Sequence, residues 1–215
     1  MMDIKCFQVN PLQENCYVVN DDTKECVIID CGAYYEAERQ AVVNYLDEQQ
    51  LKPVHLLCTH GHFDHAFGND TIYSRYGLKP EIHADDAYLI ADMAQQCVDM
   101  GMGIGYNRPS PPVGMLLHEG DAITFGNHRL RVIHTPGHSK GGVCFYCAEE
   151  SVVFTGDTLF RMSVGRTDLP GGSWAQLTQS LTKKIATLPH GTTVYPGHGP
   201  ATNLSEEVSM NPYFS

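Results

Sequence analysis

Basic residues are scarce in this chain. Its 215 residues include 14 Lys and Arg against 25 Asp and Glu, a formal charge of −11. A surface that binds nucleic acid displaces counterions with an excess of cations, so no nucleic-acid partner is expected. Charged residues reach only 18% while hydrophobic residues reach 42%. That balance excludes a disordered chain and supplies enough apolar material for a core. No apolar run approaches the roughly 18 residues of a membrane span, so no membrane partner is expected. The opening Met1-Met2-Asp3-Ile4-Lys5-Cys6 lacks the basic and then apolar stretch of a secretory signal, and the expected location is cytoplasmic. Disulfides are not expected: eight cysteines without an export signal read as free thiols. No low-complexity tract or long polar linker interrupts the sequence, so one domain over residues 1–215 is expected.

What is present is a rhythm of short β-rich runs that end in histidine or aspartate. Cys16–Val19 and Cys26–Ile29 flank Asn20-Asp21-Asp22 as a hairpin-like pair. Helix formers from about Glu36 to Gln50 place Ala37, Ala41, Val42, Tyr45 and Leu46 near helical spacing. Pro53–Cys58 is a further strand, followed by a helix at about Asn69–Tyr76, a strand at Glu81–His83 and a helix from Asp85 as its N-cap. The second half repeats the pattern. Strands are expected at Ala122–Phe125, Leu130–His134, Val143–Tyr146, Ser151–Phe154 and Thr193–Tyr195, with a Ser173-capped helix to about Thr187. Two similar β-rich halves suggest a sandwich with helices outside.

The informative segment is Thr59-His60-Gly61-His62-Phe63-Asp64-His65. Directly after an apolar strand it carries four potential metal ligands. His60 and His62 face one side while the backbone stays extended. Asp64 and His65 reach the same space only if the chain then turns into a helix. The spacing therefore fits two adjacent ions better than one four-ligand site. His138 after Thr135-Pro136-Gly137, Asp157 after Thr155-Gly156 and His198 after Pro196-Gly197 add three strand-end candidates, each behind a glycine that permits a sharp turn.

This set resembles the metallo-β-lactamase superfamily, whose fold is an αββα sandwich of two mixed β-sheets with helices on the outer faces. Gly156-Asp157-Thr158-Leu159-Phe160, the run Gly165-Arg166-Thr167-Asp168-Leu169-Pro170-Gly171-Gly172, and the tail Gly197-His198-Gly199-Pro200 with Asn211-Pro212-Tyr213 are similar to the glyoxalase II-like hydrolases. The resemblance implies His60, His62 and His138 at a first metal, Asp64, His65 and His198 at a second, and Asp157 bridging them. It implies two divalent ions, zinc first with iron or manganese also compatible with nitrogen and oxygen donors. The implied activity is hydrolysis of a small-molecule thioester by a metal-bridging hydroxide, with Asp64 and Asp157 as catalytic residues. A thiol of pKa about 8.5 leaves as thiolate without a dedicated general acid. The helical C-terminal domain with which glyoxalase II grips glutathione is expected to be lacking, since the chain ends at residue 215, soon after His198.

Arg166 is the candidate for binding a substrate carboxylate, with a loop-shaping pair to Asp168 as the competing reading. Met93–Leu117 reads either as an adaptable lid over a cleft or as a helix end with core methionines and a Pro-rich connection. Cys144-x-x-Cys147 matches a redox or zinc spacing, but in a strand i and i+3 face opposite sides, so core packing is expected. His55, His83, His118, His128, His134 and His190 have no partner at ligand spacing, while Asn15 and Tyr17 could line the cleft. Two other functions compete. One is a persulfide dioxygenase with one Fe(II) on His60, His138 and Asp157; the other is a non-catalytic metal-binding module. A lactonase or nuclease on the same fold ranks lower, the nuclease because of the acidic charge.

Overall fold

A computed structural model describes residues 1–101 and 105–214. The first sheet comprises β1 (Asp3–Val9), β2 (Glu14–Asn20), β3 (Glu25–Ile29), β4 (Lys52–Leu57), β5 (Pro80–His83) and β6 (Leu116–Leu117), in that spatial order. Its first three strands are antiparallel and the remaining pairings parallel. The second sheet runs in reverse order from β12 (Thr202–Asn203) through β11 (Thr193–Pro196), β10 (Val152–Gly156), β9 (Val143–Cys147) and β8 (His128–His134) to β7 (Ala122–Phe125). Only its β10–β11 pairing is parallel. Each sheet thus comes from one half of the sequence, and both are mixed.

Alternation along the strands explains the layering. In β2, β3 and β4, Tyr17, Val19, Val27, Ile29 and Leu57 face the second sheet, where they meet Ile123, Phe125, Leu130, Val132, Phe145 and Phe154. Their neighbours Cys16, Val18, Cys26, Ile28 and Leu56 point outward onto Val42 and Leu46 of α1 (Glu36–Glu48) and Ile72 of α2 (Asn69–Tyr76). Strands buried on both faces read as continuous apolar runs, as these do. The second sheet is covered likewise: Ile133, Cys144, Tyr146 and Val153 pack on Leu177 and Leu181 of a later helix, Trp174–Lys183. Burying each such side chain contributes about 1.5–3 kcal/mol. This is the αββα sandwich expected from the sequence. Among the described residues no helix is long and apolar enough to cross a membrane.

Several local expectations change. Asp3–Val9, not read as a strand, is an edge strand whose mostly exposed or half-buried residues leave little apolar pattern. The helix expected from Asp85 is instead a 3-10 turn, Ala84–Asp86, capped by His83, whose Nδ1 accepts the Asp85 N–H. After it come two short helices, α3 (Ala87–Ala91) and α4 (Met93–Asp99). The Trp174–Lys183 helix, α5, carries the expected Ser173 cap but ends earlier than expected, and Ile185–Thr187 continues as a 3-10 turn. A final helix, α6 (Leu204–Met210), was not anticipated. All eight cysteines are unbridged and seven are buried. Cys144 faces the helices and Cys147 the inter-sheet core, so the Cys144-x-x-Cys147 pair is packing, not a metal or redox site.

Candidate metal centre

The seven residues picked from the sequence converge at one edge of the sandwich. β4 ends at Leu57, and His62 still has extended backbone at φ −68° and ψ 147°. A 3-10 turn over Phe63–His65 then swings Asp64 and His65 round to the same side. His138 comes from the loop after β8, Asp157 from the residue after β10, and His198 from the loop after β11. Gly156 turns the chain at φ 47°, where an added Cβ would meet Thr59 Oγ1 at 2.2 Å. A Cβ on Gly197 would lie 2.5 Å from Asp157 Oδ1 and 2.7 Å from His65 Cε1. Both glycines are therefore required for this approach of the two halves.

Two groups result, within each of which the ligand atoms lie within 4.8 Å of one another: His60, His62 and His138, and Asp64, His65 and His198. Asp157 stands between them. Its Oδ2 is 3.4 Å from His138 Nε2, while its Oδ1 is 3.3 Å from His65 Nε2 and 3.8 Å from His198 Nε2. Asp64 Oδ2 is 3.3 Å from His198 Nε2 and 3.7 Å from His65 Nε2.

The outward nitrogens of four histidines are held by acceptors. His138 Nδ1 donates to the Arg166 carbonyl at 2.7 Å and His198 Nδ1 to the Leu12 carbonyl at 3.1 Å. His65 Nδ1 donates to Asp30 Oδ2 at 3.0 Å. Thr59 donates its hydroxyl proton to the same Asp30 oxygen at 2.6 Å, so His60 Nδ1, 3.1 Å from Thr59 Oγ1, must donate to that hydroxyl. Because carbonyls and carboxylates only accept, these bonds place the proton on Nδ1 and leave Nε2 of each neutral ring as the inward lone pair. His62 is reversed: its Nδ1 lies 2.9 Å from His138 Nε2, so a proton or a cation must sit between them.

Charge divides the two groups. Burial, then the neighbouring imidazoles, holds His60 well below the usual histidine range, and burial with His138 pushes His62 down to about 4. Burial pulls His65 the same way, but Asp157, Asp64 and Asp30 outweigh it and raise its pKa well above normal. His198 is raised likewise, against burial, by Asp64 and Asp157. Asp64 and Asp157 are lowered because the facing His65 and neighbouring imidazoles outweigh the effect of burial. His60 and His62 are thus neutral imidazoles. In the other group, protons supply the positive charge that two buried carboxylates demand. Metal binding replaces such protons.

The donor chemistry fits two divalent ions. His60 Nε2, His65 Nε2 and Asp157 Oδ1 are buried without a hydrogen bond that satisfies them. Leaving such atoms unpaired costs about 1–3 kcal/mol each, more when charged, and a coordinated cation removes the cost. No thiolate joins the set, which favours borderline and hard ions. A cleft of about 430 Å³ opens over the group, walled by apolar Leu12, Phe63, Tyr88, Leu89, Met100, Leu169 and Pro170 and by polar Asp92, Gln96 and Asp99, with His62, Asp64, His138, Asp157 and His198 at its floor.

Other expected residues fall differently. The Arg166 side chain reaches the cleft wall but binds Asp168 through two bonds of 2.6 and 2.7 Å, the loop-shaping alternative; its backbone carbonyl is what orients His138. Asn15 and Tyr17 do not line the cleft. Asn15 donates to the carbonyls of Pro196 and Gly199, and Tyr17 to that of Pro196, tying down the loop that carries His198. Met93 is buried in the core and only Met100 faces the cleft, whereas Met102 and Gly103 lie outside the described residues. Arg108 is pinned to Glu36 and Asp70 beside a separate groove of about 840 Å³ between α1 and α2, away from the histidines. The Pro-rich part of the stretch thus lines another groove, while Gln96, Asp99 and Met100 from its start line the cleft. Of the remaining histidines, His55 binds Glu81, His128 bridges Asp21 and Glu150, and His83 stacks on His134.

Sequence reasoning missed Asp30, which sits at φ 54° and 2% exposure at the end of β3. It also missed Asp86, which is 1% exposed and accepts the N–H groups of Gly61 and Gly141. The left-handed backbone at Asp30, uncommon for a non-glycine residue, marks it only in the structure, so no sequence signal pointed to it.

Residues 9–198 match the sequence profile of the metallo-beta-lactamase superfamily. The chain belongs to that superfamily. Among curated relatives, hydroxyacylglutathione hydrolase GloC of Haemophilus influenzae is 31% identical over 100% of this chain and 99% of its own length. The BLEG-1 B3 metallo-beta-lactamase structure is 36% identical, with TM-score 0.91 over 99% of this chain and 100% of that one. The di-iron-bound form of TTHA1623 is 38% identical, with TM-score 0.84 over 97% and 99%. ETHE1 from Myxococcus xanthus is 26% identical, with TM-score 0.79 over 98% and 83%. This superfamily member is thus a metal-binding fold of hydrolase kin, and the di-iron neighbour supports the use of two metals.

Proposed function

We propose that this chain is a binuclear metallohydrolase of glyoxalase II type that cleaves a small-molecule thioester. The observation that carries the reading is the pair of ligand groups with Asp157 between them, its two oxygens turned to different groups, at the floor of the cleft. His60, His62 and His138 would hold one ion and Asp64, His65 and His198 the other, with Asp157 within reach of both. On donor chemistry zinc is the first choice, and the di-iron TTHA1623 supports iron. When bound, two such ions polarise a carbonyl and lower the pKa of water towards neutrality. The chain's own residues do the rest. Asp64 accepts a hydrogen bond from the attacking water and aims it, while Thr59, Asp30, Leu12 and Arg166 fix the rings through their outward nitrogens. A thiolate leaving group needs no general acid.

The GloC relative supports a hydroxyacyl thioester, and 99% of its length is matched by this chain, so a protein of this length carries that name. A second reading, the dioxygenase with one Fe(II) on His60, His138 and Asp157, takes its support from the likeness to ETHE1. The test is metal content per chain on protein purified without chelator, read beside hydrolysis of S-lactoylglutathione and simpler acyl thioesters. About two metals with thioester cleavage, lost in Asp157→Ala, is the expected outcome. One iron with persulfide-dependent oxygen uptake and no cleavage would replace the reading with the dioxygenase. Opening of a β-lactam ring without thioester cleavage would place the chain functionally beside BLEG-1.

A further inference from the structure

Asp86 occupies the position that precedes α3, where an aspartate ordinarily accepts the free N–H groups of the first turn. It makes no such cap bond. Its carboxylate is instead turned inward at 1% exposure and divided between two loops: Oδ1 accepts the Gly141 N–H at 2.7 Å and Oδ2 the Gly61 N–H at 3.2 Å. Gly61 lies between His60 and His62, and Gly141 three residues beyond His138. The two loops come from different halves of the sequence and different sheets. Neither glycine tolerates a side chain there. A Cβ on Gly61 would stand 2.6 Å from Leu89 Cβ and 2.8 Å from the Asp86 carbonyl, and one on Gly141 would stand 2.7 Å from the Asp86 nitrogen. The other side of the Gly61 residue is held from the same segment, because Gln96 of α4 donates to the Gly61 carbonyl at 3.1 Å.

We propose that Asp86 is a positioning residue that sets the spacing of His60 and His62 against His138, and so tunes the affinity of the first metal site without touching the second. The inference rests on the metal reading above and not on the choice of substrate. A carboxylate is the one side chain of this size that offers acceptors in two directions, so both N–H groups are satisfied by one residue. Removing an acceptor leaves a buried N–H unpaired and frees one loop to relax away from the other. Asp64 and His65 follow His60 and His62 on the same loop, but Asp86 bonds that loop at Gly61, and among the described residues it makes no hydrogen bond to the Phe63–His65 turn or to the loop of His198. His65 is held by Asp30 and His198 by the Leu12 carbonyl.

The test is Co²⁺ titration of metal-stripped protein by visible absorption and chelator competition, in two backgrounds. His198→Ala breaks the second group and leaves the first; His62→Ala does the reverse. Asp86→Asn, equal in size, keeps an acceptor for Gly141 but turns an amide donor towards the Gly61 N–H. It should weaken Co²⁺ binding about 10–100-fold in the His198→Ala background, the range for loss of a group that supports a metal ligand. In the His62→Ala background the change should stay within about threefold. Asp86→Ser, whose smaller side chain keeps one acceptor oxygen and no longer reaches both N–H groups, should reproduce the selective loss, and it reads the proposal independently should Asp86→Asn not fold. Equal losses in both backgrounds would show a general structural role and overturn the proposal, as would unchanged binding in the first. Absence of Co²⁺ binding in either background of the parent chain would remove the metal reading and the proposal together. Two-site binding without thioester cleavage would refute only the substrate assignment.

Discussion

Substituting Asp30 tests whether the acceptors behind the rings are as important as the ligands themselves. Asp30→Asn keeps the size of a side chain that is 2% exposed, and its remaining oxygen can still take the Thr59 N–H, now at 2.7 Å. The amide that replaces Oδ2 presents N–H groups to two donors, the Thr59 hydroxyl at 2.6 Å and His65 Nδ1 at 3.0 Å. Losing a hydrogen bond to a charged acceptor removes about 1.5–3 kcal/mol. At 1.36 kcal/mol per factor of ten that is about 10–150-fold in affinity, the scale seen when a partner behind a ligating histidine is removed. Because His65 belongs to one group and His60 leans on Asp30 through Thr59, both ions should bind more weakly. The assay is chelator competition with Zn²⁺ on the wild type and Asp30→Asn, with thermal unfolding of the metal-stripped forms alongside. Two ions bound with wild-type affinity would refute the argument that ring orientation is set by Asp30.

Other predictions concern separate contacts. Asp157→Asn should lower bound metal from about two per chain towards one and reduce any thioesterase rate at least a hundredfold, measured by metal analysis and steady-state kinetics. Arg166→Ala should change kcat/KM less than about fivefold, since the guanidinium is already paired with Asp168 and its carbonyl is retained; a hundredfold rise in KM would restore it as a substrate-binding residue. Gly165→Ala should be far worse, as its Cβ would stand 1.9 Å from the Asp157 carbonyl oxygen, and circular dichroism with metal analysis separates site loss from unfolding. His128, far from the cleft, gives a pH prediction. Burial lowers its pKa, but Glu150 and Asp21 outweigh that and raise it above the unfolded value. Its stabilisation is then full below about pH 6.5, the unfolded pKa, and is lost as pH rises through the folded one. The Tm difference between wild type and His128→Gln should therefore be largest in mild acid and shrink above neutrality, and a difference that grows with pH would contradict the assignment.

The contrast between what was and was not legible follows from sequence distance. β2 and β3 are buried on both faces, and that is visible in the four-letter apolar runs Cys16–Val19 and Cys26–Ile29; β1 lies at the sheet edge, where only Val9 is buried, so Asp3–Val9 carries little pattern. The candidate ligands His60, His62, Asp64 and His65 declare themselves because all four sit on one strand-end loop. Their supports do not: Asp30 acts on Thr59 across 29 positions, and Asp86 reaches Gly61 across 25 and Gly141 across 55. Local rules misassign such residues. A cap rule placed Asp85 at a helix start, yet His83 caps that turn and the next aspartate leaves its own helix uncapped in order to hold two loops. Arg166 shows the same limit in reverse. Its spacing to Asp168 was readable, while the role of its carbonyl, which any residue would present, could not be read from the side chain. A metal centre of this kind therefore has two layers of information: ligands that need particular side chains at short spacing, and supports that need only an acceptor at the right point in space. The second layer is fixed by the packing of the two halves, and so its failure should appear first as a change in metal affinity, with the fold still intact.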